Sequence, residues 1–289
     1  MEAADYKNLI NRYLDSLFEE VYYPEVIYNA MRYSVKSGGK RMRPLLMLYT
    51  AEGFGGDIEK VIPFALAVEC IHTYSLIHDD LPCMDNDDLR RGKPTNHKIF
   101  GEAMALLAGD GLLNLAYELM SEACIENFSK EAVTAMNIIA SSAGTFGMIG
   151  GQAADIISED KIMDADTLLY IQENKTAAII KSSVAAGAIL SGADEGQIQK
   201  ITDAAEAFGI AFQIKDDILD VKSSREVLGK PIGSDAFNNK LTHVSLYGME
   251  KAEADYEEYS QKALELIKEL ELKNPSLENY MGRLMHREL

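Results

Sequence analysis

The residues of this sequence best suited to chemistry are two clusters of aspartates, each following a long apolar stretch. The clusters consist of Asp79, Asp80 and Asp85, and of Asp216, Asp217 and Asp220. Carboxylates in such surroundings are costly to desolvate unless a cation joins them. They are hard oxygen ligands that suit Mg²⁺, which is commonly held by a few carboxylates, waters and the phosphates of a substrate. The clusters therefore predict a metal-bound phosphate ligand.

The spacing within the clusters predicts how they are presented. Asp216 and Asp220 are four residues apart and share one face of a helix, where like charges repel unless a cation joins them. In the first cluster Pro82 disfavours a continuing helix, so we expect the helix to end near it and Asp85 to return toward Asp79. For either cluster alone, a solvated acidic helix end is an equally good interpretation. Two clusters after apolar runs weaken that alternative.

Basic residues are concentrated at two glycine-containing turns. The segment 37–43 joins Gly38-Gly39 to Lys40, Arg41 and Arg43 before a predicted helix, and the segment 90–93 reads Arg-Arg-Gly-Lys. Glycine lets the backbone approach an anion closely, and arginine supplies forked donors to phosphate oxygens. A basic surface turn, or simple pairing with neighbouring aspartates, is the alternative. In a chain this acidic, the local concentration of cations favours a phosphate site.

Three other residues attract attention only through their context. Lys175 precedes an apolar helical segment and Lys230 lies in a glycine turn, but surface lysines are the ordinary interpretation of both. His72 lies seven residues before Asp79, on the same face of the predicted helix. A core histidine that is hydrogen-bonded to its neighbours is the alternative.

Size and composition limit the possible functions. The 289 residues are expected to form one domain over 1–289, and 46 acidic against 28 basic residues give a formal charge of -18. That charge opposes binding to nucleic acid or anionic lipid. The sequence starts without the pattern of a secretory signal and shows no long uncharged apolar run, which favours a soluble cytoplasmic protein without stable membrane insertion. The scattered Cys70, Cys83 and Cys124 suggest neither disulfides nor a zinc site.

The pattern of helix formers between glycine and proline breaks predicts an all-α fold, a single-domain helical bundle. The expected helices are 3–19, 24–35, 42–54, 59–80, 101–122, 129–149, 165–172, 174–191, 195–220, 239–271 and 276–286. Breaks are expected at 37–39, 55–57, 82–94, 150–151, near 192 and at 223–234.

Taken together, six motifs in order along the chain resemble the trans-prenyl diphosphate synthases, most closely the bacterial farnesyl diphosphate synthases. The motifs are the segments 38–44, 72–85, 90–92, 175–176, 212–220 and 229–230. The resemblance implies an all-α bundle around a central catalytic cavity, normally a homodimer, with the aspartates on helices that face this cavity. It implies a reaction in which isopentenyl diphosphate attacks an allylic cation formed by Mg²⁺-assisted ionisation of an allylic diphosphate.

The resemblance also implies a role for each residue singled out above. The six aspartates would be metal ligands for several Mg²⁺ ions, with Mn²⁺ as an alternative ion. The allylic diphosphate would be contacted by Arg90, Lys175 and Lys230, with Gln213 nearby and Thr176 lining the cavity. The second diphosphate, that of isopentenyl diphosphate, would be bound by Gly39, Lys40, Arg43, His72 and Arg91. The catalytic set would be Asp79, Asp80, Asp85, Arg90, Lys175, Asp216 and Lys230.

The length of the product is expected to depend on the residues just before the first aspartate cluster, here Tyr74 and Ser75. The bulky Tyr74 with the insertion Pro82-Cys83 resembles the short-chain farnesyl pattern. Geranylgeranyl and geranyl diphosphate are the alternative products. On a helix Tyr74 is rotated away from Asp79, and if it is a core residue it does not limit the length of the product.

Two other functions remain as competitors. A class I terpene cyclase shares the metal-binding carboxylates and the allylic ionisation, but it needs no second diphosphate pocket of the kind that Lys40, Arg43 and His72 suggest. A silent subunit that regulates an active synthase would not need two complete aspartate clusters. One departure from the family pattern is His243, where relatives often carry an aromatic residue after threonine.

Overall fold

The computed structural model describes residues 2–158, 164–226 and 242–286, with side chains described up to residue 222 in the second range. Helices make up nearly all of its regular structure, and the predicted all-α class is confirmed. In chain order the first half contains α1 (Ala3–Ser16), α2 (Glu25–Val35), α3 (Met42–Phe54), α4 (Ile58–Asp79), β1 (Leu89–Arg90), β2 (Lys93–Pro94), α5 (Asn96–Phe100), α6 (Glu102–Glu126) and α7 (Lys130–Ala143). The second half contains α8 (Met148–Ser158), α9 (Ala165–Ile171), a π-helical segment (Gln172–Ala177), α10 (Ala178–Leu190), α11 (Glu195–Glu226), α12 (His243–Tyr247), α13 (Met249–Lys268) and α14 (Ser276–Met285).

The central helix of the bundle is α4, which is buried on nearly all sides. Its apolar residues, such as Val61, Phe64 and Ile71, are at most 1% exposed, and it packs against α3, α6 and α10. A helix that is apolar all round belongs in a core. The side chain of Asp57 caps its first turn by accepting a hydrogen bond from the amide of Glu59 at 3.2 Å. The last residue of α4 is Asp79, so the first aspartate cluster begins at the C-terminal end of the core helix.

The second aspartate cluster lies in α11, the long helix that packs against α10, α13 and the π segment. Ile210, Ile214 and Ile218 are spaced four apart and buried, so this face is held against α13 through Ala252. The position of the helix is therefore fixed by an apolar stripe next to the aspartates.

The structure corrects the prediction of one helix over 129–149 and of a break at Gly150-Gly151. The helix ends at Ala143, and α8 runs through both glycines. The reason is packing, because a Cβ on Gly151 would lie 2.2 Å from the backbone nitrogen of Lys175. The glycine allows close approach of two segments rather than a break. The short hairpin 89–94 was not predicted, since two-residue strands carry no alternating pattern.

Within the described residues, two stretches are long and apolar enough to cross a membrane by composition, Ile58–Asp79 and Lys130–Ser158. The first is α4, whose most apolar window is 72% buried in the bundle. The second is interrupted between α7 and α8, and 33% of its window is buried. The apolar character of α4 is thus accounted for by its place in the core.

Candidate active site

A cavity of about 420 Å³ opens beside the C-terminal half of α4. Its walls come from α3, α4, α8 and the π segment, and they combine charged and apolar side chains. The polar and charged lining residues are Arg43, His72, Tyr74, Ser75, His78, Asp79, Gln152, Lys175 and Thr176, and the apolar ones are Leu76, Met84, Met148, Ile149, Ala153 and Ile156. The cavity therefore offers anion-binding groups around a space that an apolar chain can enter.

The first aspartate cluster folds back on itself at the end of α4, as predicted. The backbone amide of Asp85 donates to the carbonyl of Asp79 at 2.9 Å, and the amide of Asn86 donates to the carbonyl of Leu81 at 3.1 Å. Asn86 has a positive φ of 51°, a conformation that asparagine tolerates better than most residues. The turn brings Asp79 and Asp85, both partly exposed, to the same end of the helix.

Asp80 occupies a different position from its neighbour. Its carboxylate is buried and does not line the cavity. Oδ1 accepts a hydrogen bond from Nε of Arg90 at 2.6 Å and forms an ion pair with Nη2, also at 2.6 Å. Burial raises the pKa of Asp80 to about 6, although the charge of Arg90 opposes that rise. Arg90 also contacts Asp87 at 3.3 Å. The structure thus pairs two residues that the sequence had assigned to a metal and to a diphosphate.

A chain of hydrogen bonds connects the second aspartate cluster to the cavity. Oγ1 of Thr176 donates to Oε1 of Gln213 at 2.9 Å, and Nε2 of Gln213 donates to Oδ1 of Asp217 at 3.3 Å. The other oxygen of Asp217 accepts the backbone amide of His243 at 2.8 Å, so this buried carboxylate also holds the start of α12. Asp216 is exposed and Asp220 is partly exposed. Gln213, which was expected beside the allylic diphosphate, thus contacts Thr176, and Thr176 lines the cavity.

Lys175 lies in the π segment and lines the cavity. Its Nζ lies 2.5 Å from Oδ2 of Asp155 on α8. π-Helical turns inside α-helices are rare and occur frequently at functional sites. Lys230 lies outside the described residues.

Arginines lie near His72, which also lines the cavity. Burial, and then the charges of Arg43 and Arg91, hold the pKa of His72 well below its usual range, so the imidazole is neutral at pH 7. Nε of Arg43 is buried and, within the described part of the chain, has no hydrogen-bond partner. Burial also lowers the pKa of the guanidinium groups of Arg43 and Arg91. A buried donor without a partner among several cations has the chemistry to bind an anion.

The glycine turn holds Arg91 in this group. A guanidinium nitrogen of Arg91 donates to the carbonyl of Gly38, and a Cβ on Gly39 would lie 2.5 Å from Nη1 of Arg91. Gly39 has a φ of 132°, which suits glycine. Lys40 follows this turn and is exposed.

Arg41, from the same motif, serves the fold instead of the cavity. It is 5% exposed and contacts Glu69 at 2.6 Å, Asn11 at 3.0 Å and the carbonyl of Val35 at 2.6 Å. Breaking a buried ion pair of this kind by removing one partner costs about 3–5 kcal/mol. The pair fixes the turn from which Lys40 and Arg43 emerge.

Tyr74 and Ser75 both line the cavity, as their proposed role in product length requires. Tyr74 is 5% exposed, its ring packs edge-on against His78 at 5.6 Å, and within the described residues its hydroxyl has no hydrogen-bond partner. Burial raises the pKa of Tyr74 to about 12. Oγ of Ser75 donates to the carbonyl of His72 at 2.9 Å. Tyr74 is therefore an aromatic wall of the cavity, not only a core residue.

The donor set suits a metal that the substrate helps to hold. Across residues 2–158, 164–222 and 242–286, no three His, Cys, Asp or Glu side chains already form a metal site. The carboxylates Asp79, Asp85, Asp216 and Asp220, which are exposed or partly exposed, are nevertheless hard oxygen donors. Mg²⁺ usually keeps several waters and binds through one or two carboxylates plus substrate phosphates instead of an all-protein cage. The residues fit such an ion.

Sequence analysis missed three residues of this site. His78 and Gln152 line the cavity, and Asp155 pairs with Lys175. A Cβ on Gly109 would lie 2.0 Å from Nε2 of His78, so a glycine on α6 accommodates that ring. The available signal was the polar pair Gln152 and Asp155 in an otherwise apolar stretch, which the supposed glycine break obscured.

A second hollow, of about 820 Å³, lies far from this chemistry at the start of α4. Among the described residues that line it, Lys60 is the one cation, against the acidic side chains Asp57, Glu59, Glu126 and Glu131. Its negative field would repel a diphosphate. The smaller cavity is the better candidate because it carries the cations.

An all-helical domain whose cavity combines carboxylates, cations and apolar walls suits a ligand with a phosphate group and an apolar chain, and comparison with known proteins gives the family. Residues 24–278 match the family described as polyprenyl synthetase. The chain belongs to this family, and it is therefore a prenyltransferase.

Similar proteins differ in the products that their names give. The chain is 47% identical over 262 residues to a farnesyl diphosphate synthase of Geobacillus stearothermophilus, covering 89% of this chain and 88% of that protein. It is 48% identical over 241 residues to a chloroplastic geranylgeranyl pyrophosphate synthase of Capsicum annuum, covering 83% and 65%. A crystal structure of an FPP/GFPP synthase from Zymomonas mobilis has a TM-score of 0.85 at 35% identity, covering 98% of this chain and 97% of that one.

Proposed function

We propose that this chain condenses isopentenyl diphosphate with dimethylallyl diphosphate, and then with geranyl diphosphate, to make farnesyl diphosphate. One observation carries the proposal. A single cavity is lined by Asp79 and Lys175, by Arg43 and His72, and by apolar side chains. Two anion-binding groups around one apolar space suit two diphosphates whose hydrocarbon ends must meet.

The first step is cleavage of the allylic carbon–oxygen bond, whose electron pair leaves with the diphosphate. Arg90, Lys175 and Lys230 would stabilise the negative charge that grows on this leaving group. Mg²⁺ held by Asp79, Asp80, Asp85, Asp216, Asp217 and Asp220 would supply further charge neutralisation when bound. Asp80 and Asp217 are buried, whereas Asp79, Asp85 and Asp220 are partly exposed and Asp216 is exposed. The latter four carboxylates are therefore the better candidates for direct contact with the metal.

The second step joins the two carbon skeletons. The cations at Lys40, Arg43 and Arg91, with the neutral His72, would hold isopentenyl diphosphate so that its double bond attacks the allylic cation. Loss of a proton from the resulting cation to the departing diphosphate completes a five-carbon extension. The apolar wall formed by residues such as Met148 and Ile149 would exclude water that could trap the cation.

The size of the product would depend on Tyr74, which lines the cavity with a buried ring. This wall favours a short product and therefore farnesyl diphosphate. Geranylgeranyl diphosphate is the second candidate, because relatives with that product in their names are as similar as the farnesyl synthases.

We further propose that the chain acts as a cytoplasmic homodimer. Support comes from apolar side chains left exposed along α6 and the start of α7: Leu106 (47%), Leu107 (48%), Phe128 (84%) and Val133 (46%). Large exposed apolar side chains are candidates for a protein interface. Sedimentation equilibrium tests this, and a monomer at micromolar concentration would contradict it.

Product analysis tests the proposed reaction. The purified chain is incubated with Mg²⁺, dimethylallyl diphosphate and isopentenyl diphosphate, and the products are identified by mass spectrometry after dephosphorylation. We expect a fifteen-carbon alcohol as the main product. Intact substrates would contradict the proposal and favour a silent subunit, whereas cyclisation of a longer prenyl diphosphate supplied alone would indicate a terpene cyclase.

A further inference from the structure

The ion pair between Lys175 and Asp155 joins two separate elements at the edge of the cavity. Nζ of Lys175, on the π segment, lies 2.5 Å from Oδ2 of Asp155 on α8. The side chains are 26% and 13% exposed, respectively. Lys175 lines the cavity, whereas Asp155 lies outside its lining although Gln152 and Ile156 on the same helix are part of it. The carboxylate therefore contacts the lysine without itself lining the cavity.

The backbone is arranged to make this contact possible. Gly151 lies one helical turn before Asp155, and a Cβ there would be 2.2 Å from the backbone nitrogen of Lys175. Without a side chain, α8 lies directly against the π segment, and Asp155 reaches the lysine at hydrogen-bond distance. Two features of α8, a glycine and an aspartate four residues apart, thus act on the same lysine.

A tethered lysine differs from a free one in its donors and in its entropy. An ammonium group has three N–H donors, so one bond to Asp155 leaves two. Ordering a lysine side chain costs rotamer entropy. A lysine that is ordered before the ligand arrives does not incur this cost during binding.

We propose that Asp155 is a positioning residue that holds the ammonium of Lys175 at the cavity edge, with its remaining donors available to the allylic diphosphate. This inference rests on the proposed function, since it assigns the lysine to that substrate. The opposite possibility is that Asp155 competes with the diphosphate for the lysine. The two roles predict opposite changes in diphosphate affinity when the carboxylate is removed. Loss of a positioning residue would weaken binding, whereas loss of a competing anion would strengthen it.

Calorimetric titration with inorganic diphosphate in the presence of Mg²⁺ tests the proposal on the full-length chain. We expect Asp155→Asn to weaken binding about tenfold, equivalent to about 1.4 kcal/mol. The loss would occur even though the substitution removes a negative charge near the anion. Lys175→Met should weaken binding as much or more, and adding Asp155→Asn to it should change the affinity less than twofold. Tighter binding by Asp155→Asn, or independent effects of the two substitutions, would overturn the proposal.

A matched control is provided by Lys181 and Glu206, which form a 2.7 Å ion pair between α10 and α11. Glu206→Gln removes the same charge from a lysine outside the cavity lining and should leave diphosphate binding within twofold of the unmodified chain. An equal loss in Glu206→Gln would overturn the proposal by showing a general charge effect.

Steady-state kinetics add a readout that a merely structural role would not move. We expect Asp155→Asn to raise KM for dimethylallyl diphosphate and to leave KM for isopentenyl diphosphate unchanged. Equal increases in the two KM values would count against the proposal.

A second variant keeps the proposal testable if Asp155→Asn does not fold. Asp155→Glu keeps the charge and should bind inorganic diphosphate more tightly than Lys175→Met does. Affinity no better than that of Lys175→Met would overturn the proposal. Absence of condensation by the unmodified chain would refute the proposed function, whereas the binding cycle tests Asp155 independently.

Discussion

The amide of Asp85 donates a hydrogen bond to the carbonyl of Asp79 at 2.9 Å, which closes the turn that follows α4. This contact brings the first and last carboxylates of the cluster to one end of a buried helix. Asp80, between them, instead pairs with Arg90. The cluster is therefore divided between two partly exposed carboxylates and one buried carboxylate that holds an arginine.

Replacement of Asp79 should affect the chemical step strongly. Asp79→Ala removes a carboxylate that lines the cavity, and we expect kcat to fall by about 10²–10³-fold, as for other groups that stabilise transition-state charge. Steady-state rates at saturating Mg²⁺ measure this. Asp88→Ala is the control, because Asp88 pairs with Lys98 and its side chain is 74% exposed; its rate should change less than twofold. Near-normal turnover by Asp79→Ala would remove that residue from the metal site.

Tyr74 should determine the length of the product. Tyr74→Ala removes a buried ring from the cavity wall, and we expect products at least one five-carbon unit longer, detected by mass spectrometry. Tyr74→Phe keeps the ring and loses a hydroxyl that has no partner among the described residues. Its product should be unchanged and its stability equal or slightly higher. An unaltered product from Tyr74→Ala would show that another residue limits the chain.

Binding of isopentenyl diphosphate should be accompanied by proton uptake at His72. The pKa of His72 lies well below 6.5 in the free protein, through burial and nearby arginines, and a bound anion raises it. Because the folded-state pKa is lowered, the unfolded chain binds more protons below pH 6.5, so His72 reduces stability as the pH falls through that value.

Calorimetry of isopentenyl diphosphate binding in buffers of different ionisation enthalpy measures the linked protons. We expect uptake of a fraction of one proton near pH 6, with affinity rising as the pH falls. His72→Gln should abolish that part of the uptake. Equal uptake by His72→Gln and the unmodified chain would assign the proton to another group.

Gly151 should tolerate no side chain. In Gly151→Ala the new Cβ would meet the backbone of Lys175 at 2.2 Å, and we expect a loss of about 1–3 kcal/mol in the free energy of unfolding. Gly282→Ala is the matched control, since Gly282 lies within α14 with nothing within 4 Å of a new Cβ. It should be neutral or stabilise the helix by up to about 1 kcal/mol. Urea denaturation compares the two, and equal stabilities would contradict the close packing.

The helical class and the ends of α4 could be predicted from sequence because apolar content, Asp57 and Pro82 act locally. The partners of Arg41 and Lys175 could not, since Glu69 and Asp155 are 28 and 20 residues away along the chain. Glycines were ambiguous for the same reason. A glycine that opens a turn and one that permits close packing look alike until the second segment is in place.

The role of Asp80 shows the same limit within one motif. Its type and spacing suit a metal ligand as well as those of Asp79, but burial and the donors of Arg90 decide between a metal and an arginine. Lys230 lies outside the described residues, and its role in binding the diphosphate stays a prediction.

The most direct test of the account is a crystal structure of the chain with Mg²⁺ and a thiolo analogue of dimethylallyl diphosphate, which resists ionisation. We predict that Asp79 and Asp85 from one cluster and Asp216 from the other bind ions that contact the same diphosphate. A diphosphate bound through one cluster alone, with the other facing solvent, would contradict the account.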